Sequence, residues 1–151
     1  MKARKIFVAF LVTALMVVAS PSVFAKTGFG DTYEEAVTLY RWGYSYEDQF
    51  TLPIDNIRDS DYYLIDYTNG DQDAMGFHIS MKAEPGVIYD LQLIHTDQNG
   101  RILQVIDYND DRIQKDIWYS ISNGQKAYVR VSSHGYNDYG RNYTLKFKRI
   151  V

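Results

Sequence analysis

Apolar and polar residues alternate with period two through most of this chain, and that pattern limits its fold more than any other feature. In Tyr143-Thr-Leu-Lys-Phe-Lys148, the residues Tyr143, Leu145 and Phe147 fall on one side of an extended chain, and Thr144, Lys146 and Lys148 on the other. Phe77, Ile79 and Met81 alternate in the same way with His78, Ser80 and Lys82, as do Ala127, Val129 and Val131 with Tyr128, Arg130 and Ser132. Successive strand residues point to opposite faces, so each segment buries one face and solvates the other.

Turn signals punctuate these runs. Asn69-Gly70, Asn99-Gly100 and Asn123-Gly124 are dipeptides that tolerate positive φ and predict tight hairpins. The strands predicted are Asp48 to Leu52, Asp61 to Thr68, Gly76 to Lys82, Val87 to His95, Arg101 to Asp107, Ile113 to Ile121, Lys126 to Ser133 and Asn142 to Val151. About eight short antiparallel strands make an all-β, jelly-roll-like sandwich of two stacked sheets. Asp31 to Leu39 is the good helical candidate. Asp31 or Thr32 can cap it, Glu34 and Glu35 suit its first turn, and Ala36 and Leu39 can face a core.

Residues 1–25 read as a secretory signal peptide rather than as part of the fold. Lys2, Arg4 and Lys5 precede an apolar stretch from Ile6 to Ala19, and Pro21 is followed by Val23-Phe24-Ala25, a small-x-small cleavage site. That run of 14 residues, interrupted only by Thr13, falls short of the ~20 that a membrane-spanning helix needs. Cleavage after Ala25 leaves residues 26–151 as a single domain. Losing three cations leaves 13 basic against 19 acidic residues, a charge of −6. An acidic balance speaks against a nucleic-acid binder. The absence of cysteine excludes disulfide scaffolds, thiol nucleophiles and Cys-type zinc sites, so the exported domain must stand on its two-sheet core.

Several motifs together resemble one family. Gly30-Asp-Thr32 leading into Glu-Glu-Ala-Val-Thr-Leu39, then Asp59-Ser-Asp-Tyr-Tyr-Leu-Ile65, Asp97-Gln-Asn-Gly100, Ala127-Tyr-Val-Arg-Val131 and Asn142-Tyr-Thr-Leu-Lys-Phe147 follow the order seen in bacterial pre-peptidase C-terminal domains. The chain is similar in this respect to the collagen-binding domains of clostridial collagenases. The resemblance covers almost all of residues 26–151. It implies a jelly-roll sandwich acting as a non-catalytic adhesion, targeting or secretion module. Family members trail a catalytic domain, whereas here the signal directly precedes the module, which is expected to stand alone.

The resemblance also brings the Asp31 segment near the loop that carries Asp59 and Asp61. An Asp-x-Asp spacing puts both carboxylates on one side of an extended chain, and calcium wants about six to eight oxygen ligands. Asp31, Asp59 and Asp61 are therefore the candidate calcium ligands. The alternative is turn chemistry, with Asp59 capping a turn and Asp61 bonding to backbone.

All 14 tyrosines lie beyond the signal, and they divide by face. Tyr63, Ile65 and Tyr67, like Tyr89, Leu91 and Leu93, are expected in the core with hydroxyls reaching partners at its rim. Trp118, alternating against Ile117 and Tyr119, and Tyr136 with Tyr139 in a glycine-flanked loop, are the candidate ligand-binding aromatics. Such rings suit stacking on sugars or peptide polymers. No HExxH or Gly-x-Ser-x-Gly motif accompanies His78, His95 and His134, so no enzyme is expected. The reading is a secreted module that attaches to an extracellular polymer, whether cell-wall glycan, exopolysaccharide or fibrous protein. The alternative is a self-associating matrix protein or a detached accessory domain for a secreted enzyme.

Overall fold

The computed structural model describes residue 28 and residues 30–39 and 47–150; the expected export signal, residues 1–25, lies outside the described residues. A 3-10 turn, Tyr33–Glu35, precedes β1 (Val37–Thr38), β2 (Glu47–Pro53), β3 (Ser60–Tyr67), β4 (Ala74–Ala83) and β5 (Tyr89–Asp97). Then follow β6 (Ile102–Tyr108), β7 (Gln114–Ser122), β8 (Gln125–Ser133) and β9 (Asn142–Ile150). One sheet has the order β1-β3-β8-β5-β6 and the other β2-β9-β4-β7. Every pairing is antiparallel except that of β1 with β3. This is the all-β sandwich that the alternation predicts.

The core lies between the sheets, where Tyr63, Ile65 and Tyr67 of β3 and Tyr143, Leu145 and Phe147 of β9 are all fully buried. Each large apolar side chain taken from water stabilises the fold by roughly 1.5–3 kcal/mol. The core tyrosines also carry hydroxyls inward, and a buried hydroxyl must find a partner. Tyr67 donates to Asp71 Oδ1 at 2.9 Å, and Tyr89 donates to the Arg141 carbonyl at 2.6 Å. The hydroxyls of Tyr63 and Tyr143 lie 2.5 Å apart and bond across the sandwich.

Two local expectations change. The predicted helix over Asp31–Leu39 shrinks to the 3-10 turn: Thr32 makes no side-chain cap, Ala36 turns extended, and β-branched Val37 and Thr38 pair with Tyr63 and Leu64. Leu39 does reach the core, fully buried. Of the three Asn-Gly turns, Asn99-Gly100 closes the β5–β6 hairpin, but the other two link strands of different sheets. These two corners are fastened to each other. Gly70 N–H donates to Asn123 Oδ1 at 3.1 Å, and Asn123 Nδ2 returns a bond to the Gly70 carbonyl at 3.2 Å.

A charged side chain also lies inside the fold. Lys115 on β7 is 0% exposed, and its Nζ donates to the carbonyls of Tyr89, Asp110 and Arg112, each at 2.8 Å. The ammonium thereby ties the 109–113 loop to β5, with Asp110 Oδ1 at 3.7 Å as its counter-charge. Burial pushes the Lys115 ammonium down from its ordinary value, and Asp110 opposes that shift. Lys115→Met should lower unfolding free energy by about 2–4 kcal/mol in urea titration, because buried carbonyls lose their donor. An unchanged midpoint would show that these bonds do not stabilise the fold.

Candidate functional site

The end of the sandwich where β2 leads into β3 gathers the acidic residues. A turn over residues 55–59 holds Asp59 in place: Asp59 N–H donates to the Asn56 carbonyl at 3.0 Å, and Asp59 Oδ2 accepts from Asp55 N–H at 2.7 Å. Asp61 follows on the inward face of β3, 1% exposed, and accepts a hydrogen bond from the Tyr143 hydroxyl. Asp31 arrives from the N-terminal segment. Tyr62 N–H donates to the Gly30 carbonyl at 2.8 Å, and the Tyr33 ring stacks on Tyr128 with centroids 3.7 Å apart. Gly30 has φ of +74°, and a Cβ there would come within 2.7 Å of the Tyr62 carbonyl, so glycine is needed at this crossing.

Asp31, Asp59 and Asp61 each place a carboxylate oxygen within 4.8 Å of the other two. Asp59 fastens its own turn, as turn chemistry predicts, whereas Asp61 bonds to a phenol rather than to backbone. Burial pushes the Asp61 carboxyl up to about 7, the Tyr143 hydrogen bond opposes that rise, and the carboxylates of Asp59, Asp31 and Asp55 add to it. Three converging carboxylates, one of them buried, form a donor set of the kind a hard cation takes. Gly28 adds a cradle, since a Cβ there would overlap the Asp31 carboxylate.

The candidate aromatics separate in space. Trp118 stands near the middle of β7 on the outer face of the four-stranded sheet, 68% exposed. Its cross-strand partner is His78, whose ring stacks on the indole with centroids 4.1 Å apart and planes 21° from parallel. His78 Nε2 in turn lies 3.0 Å from Asp116 Oδ1, and Gln114 Nε2 donates to Asp116 Oδ2 at 3.3 Å. Tyr136 and Tyr139 lie instead in the β8–β9 connection, at the end that carries the carboxylates, and are 79% and 43% exposed. The other histidines are also engaged: His95 with Tyr119 and Gln125, and His134 with Asp90.

The chain is similar to a pre-peptidase C-terminal domain. That solved structure, from a Bacillus anthracis collagenase, matches with a TM-score of 0.48 and 13% identity, over 74% of this chain and 91% of the other. Aeromonas hydrophila PliG, a periplasmic lysozyme inhibitor of g-type lysozyme, matches with a TM-score of 0.40 and 10% identity, over 76% of this chain and 97% of the other. No protein-family model and no curated protein matches the sequence.

Sequence reasoning passed over Tyr143 as the donor to Asp61, and His78 and Asp116 as supports for Trp118. Period-two patterning placed Tyr143 and His78 on their correct faces, but only strand register shows which residues become neighbours. The acidic corner has a pH signature whose sign follows from Asp61. Its carboxyl titrates near the ordinary 3.8 when unfolded and at about 7 when folded, so between these values the folded state binds more protons. Without metal, the Asp61 contribution is fully present below pH ~4 and is lost as pH rises through ~7. Urea titrations in chelator should show stability falling across that range, with Asp61→Asn flattening the fall; an equal slope in the variant would contradict the assignment.

Proposed function

We propose that this protein is a secreted, non-catalytic binding module that attaches to an extracellular polymer, with Trp118 as its principal contact. The observation that carries this reading is the indole of Trp118, open to solvent yet held by the stacked His78, itself held by Asp116. A ring ordered before the ligand arrives loses less entropy on binding than a free one. The basic and apolar character of residues 1–25 supports export. Tyr136 and Tyr139 supply a separate contact point at the loop end.

Co-sedimentation of the purified protein with insoluble polysaccharides, wall sacculi and collagen tests the reading. At least one polymer should retain the protein, and Trp118→Ala should weaken retention about tenfold. Failure to sediment with any of them would overturn it.

Asp31, Asp59 and Asp61 are proposed to hold calcium, which would fix the N-terminal segment against the β2–β3 turn. Melting temperature should then rise with added calcium and fall with chelator, following RT ln(1 + [L]/Kd), and Asp59→Asn should abolish the response. An unchanged midpoint would remove the metal from the account.

A second reading, self-association, is favoured by the β6 edge, where Ile102, Leu103 and Val105 are 59%, 47% and 43% exposed. An apolar edge strand can add a strand from another chain. Light scattering across concentration decides it, since a monomer throughout removes this route.

A further inference from the structure

The outer face of the four-stranded sheet carries more than Trp118. Register aligns its outward residues in rows across the strands. Glu47, Lys148, His78 and Trp118 form the first row, Gln49, Lys146, Ser80 and Asp116 the second, and Thr51, Thr144, Lys82 and Gln114 the third. A strand rises about 3.3 Å per residue, so alternate residues repeat every ~7 Å. Lys148, Lys146 and Lys82 therefore step down the two central strands one row at a time. Lys146 and Lys82 also line a shallow depression of about 360 Å³ with Gln49, Ser80, Gln114 and Thr144.

Two properties distinguish this face from ordinary solvated surface. The chain as a whole is acidic, at −3, yet none of these three lysines has an ion pair among the described residues. Lys148 faces Glu47 across the β2–β9 ladder without pairing, and the other nearby carboxylate, Asp116, is engaged by His78 and Gln114. Three ammonium groups against two carboxylates, Glu47 and Asp116, leave these rows with a positive excess of one charge, beside amides and hydroxyls. A positive excess on one flat face of an acidic chain draws anionic ligands.

We infer that this face binds an anionic polysaccharide, with its carboxylate or sulfate groups on Lys82, Lys146 and Lys148 and a sugar ring against Trp118. The inference rests on the reading of the protein as a polymer-binding module and names the ligand class for that surface. Amides and hydroxyls beside the lysines match the hydroxyls of a glycan, and the indole matches the apolar face of a sugar ring. Duplex DNA is the poorer fit. With one charge per ~1.7 Å it brings far more negative charge than three lysines neutralise, onto a chain that is already acidic.

Affinity electrophoresis of the purified protein through gels containing polygalacturonate, a sulfated dextran or neutral dextran tests the inference, with circular dichroism melting as the folding control. The wild type should be retarded by the uronate or the sulfated polymer, and the two arms show which anion is preferred. Lys82→Gln/Lys146→Gln should weaken that retardation about tenfold while leaving the melt unchanged, and added salt should weaken it too. Exposed Lys→Gln changes seldom disturb folding; Lys148→Gln alone, with a smaller loss, provides a second reading if the double variant melts early. Retention on a neutral polymer that depends on Trp118 but not on the lysines would overturn this inference and leave the module reading standing. Tighter binding to DNA or to anionic phospholipid vesicles would also overturn it, and retention on no polymer would remove both readings.

Discussion

Across the space between the sheets, Tyr143 of β9 donates to Asp61 of β3 and shares a second hydrogen bond with Tyr63. A sandwich core excludes water, so polar atoms carried into it must satisfy one another or destabilise the fold. Here the phenols reach past the apolar layer to the rim. Tyr63 and Tyr143 meet at one end of the sandwich, while at the other Tyr67 engages Asp71, which Arg149 also holds at 2.8 Å. The Arg149 and Tyr67 hydrogen bonds hold the Asp71 carboxyl below its ordinary value. Both ends of the sandwich are thus closed by hydroxyl–carboxylate bonds, in a chain with no cysteine to close them covalently.

That arrangement has a consequence for the acidic corner. Hydrogen bonding to Tyr143 fixes Asp61 inside the fold, the β2–β3 turn brings Asp59 beside it, and the short parallel β1–β3 pairing delivers Asp31. Three carboxylates repel one another, most strongly where one is buried. The neighbouring carboxylates and burial both raise the Asp61 carboxyl, which couples stability to pH through this cluster. The outer face of the four-stranded sheet is different in kind. Its side chains rest on a rigid core that alternation buries beneath them, and its charges stand apart rather than converging.

Much of this was legible in the sequence, because alternation reports which face of a strand is buried whatever its partner. It assigned Tyr63, Tyr67 and Tyr89 to the core and Trp118 to the surface, where the structure puts them. It could not report partners, because pairing joins residues far apart in the chain: His78 lies under Trp118 only through the β4–β7 register. Asn69-Gly70 and Asn123-Gly124 marked tight turns correctly, but a dipeptide does not encode which sheet the next strand enters. The Asp31 segment looked helical from its acidic first turn, and the unpaired edge of β3 overrode that local preference.

We propose that the sandwich presents two separate sites, a cation corner at its loop end and a glycan face on the outer side of the four-stranded sheet. Amide chemical-shift mapping in solution tests that separation most directly, with calcium and a uronate oligosaccharide titrated one after the other. Calcium should move resonances around residues 30–33 and 55–62, and the oligosaccharide those of the outward residues of β4, β7 and β9. Oligosaccharide shifts confined to the loop end, or shifts spread evenly over both sheets, would contradict it.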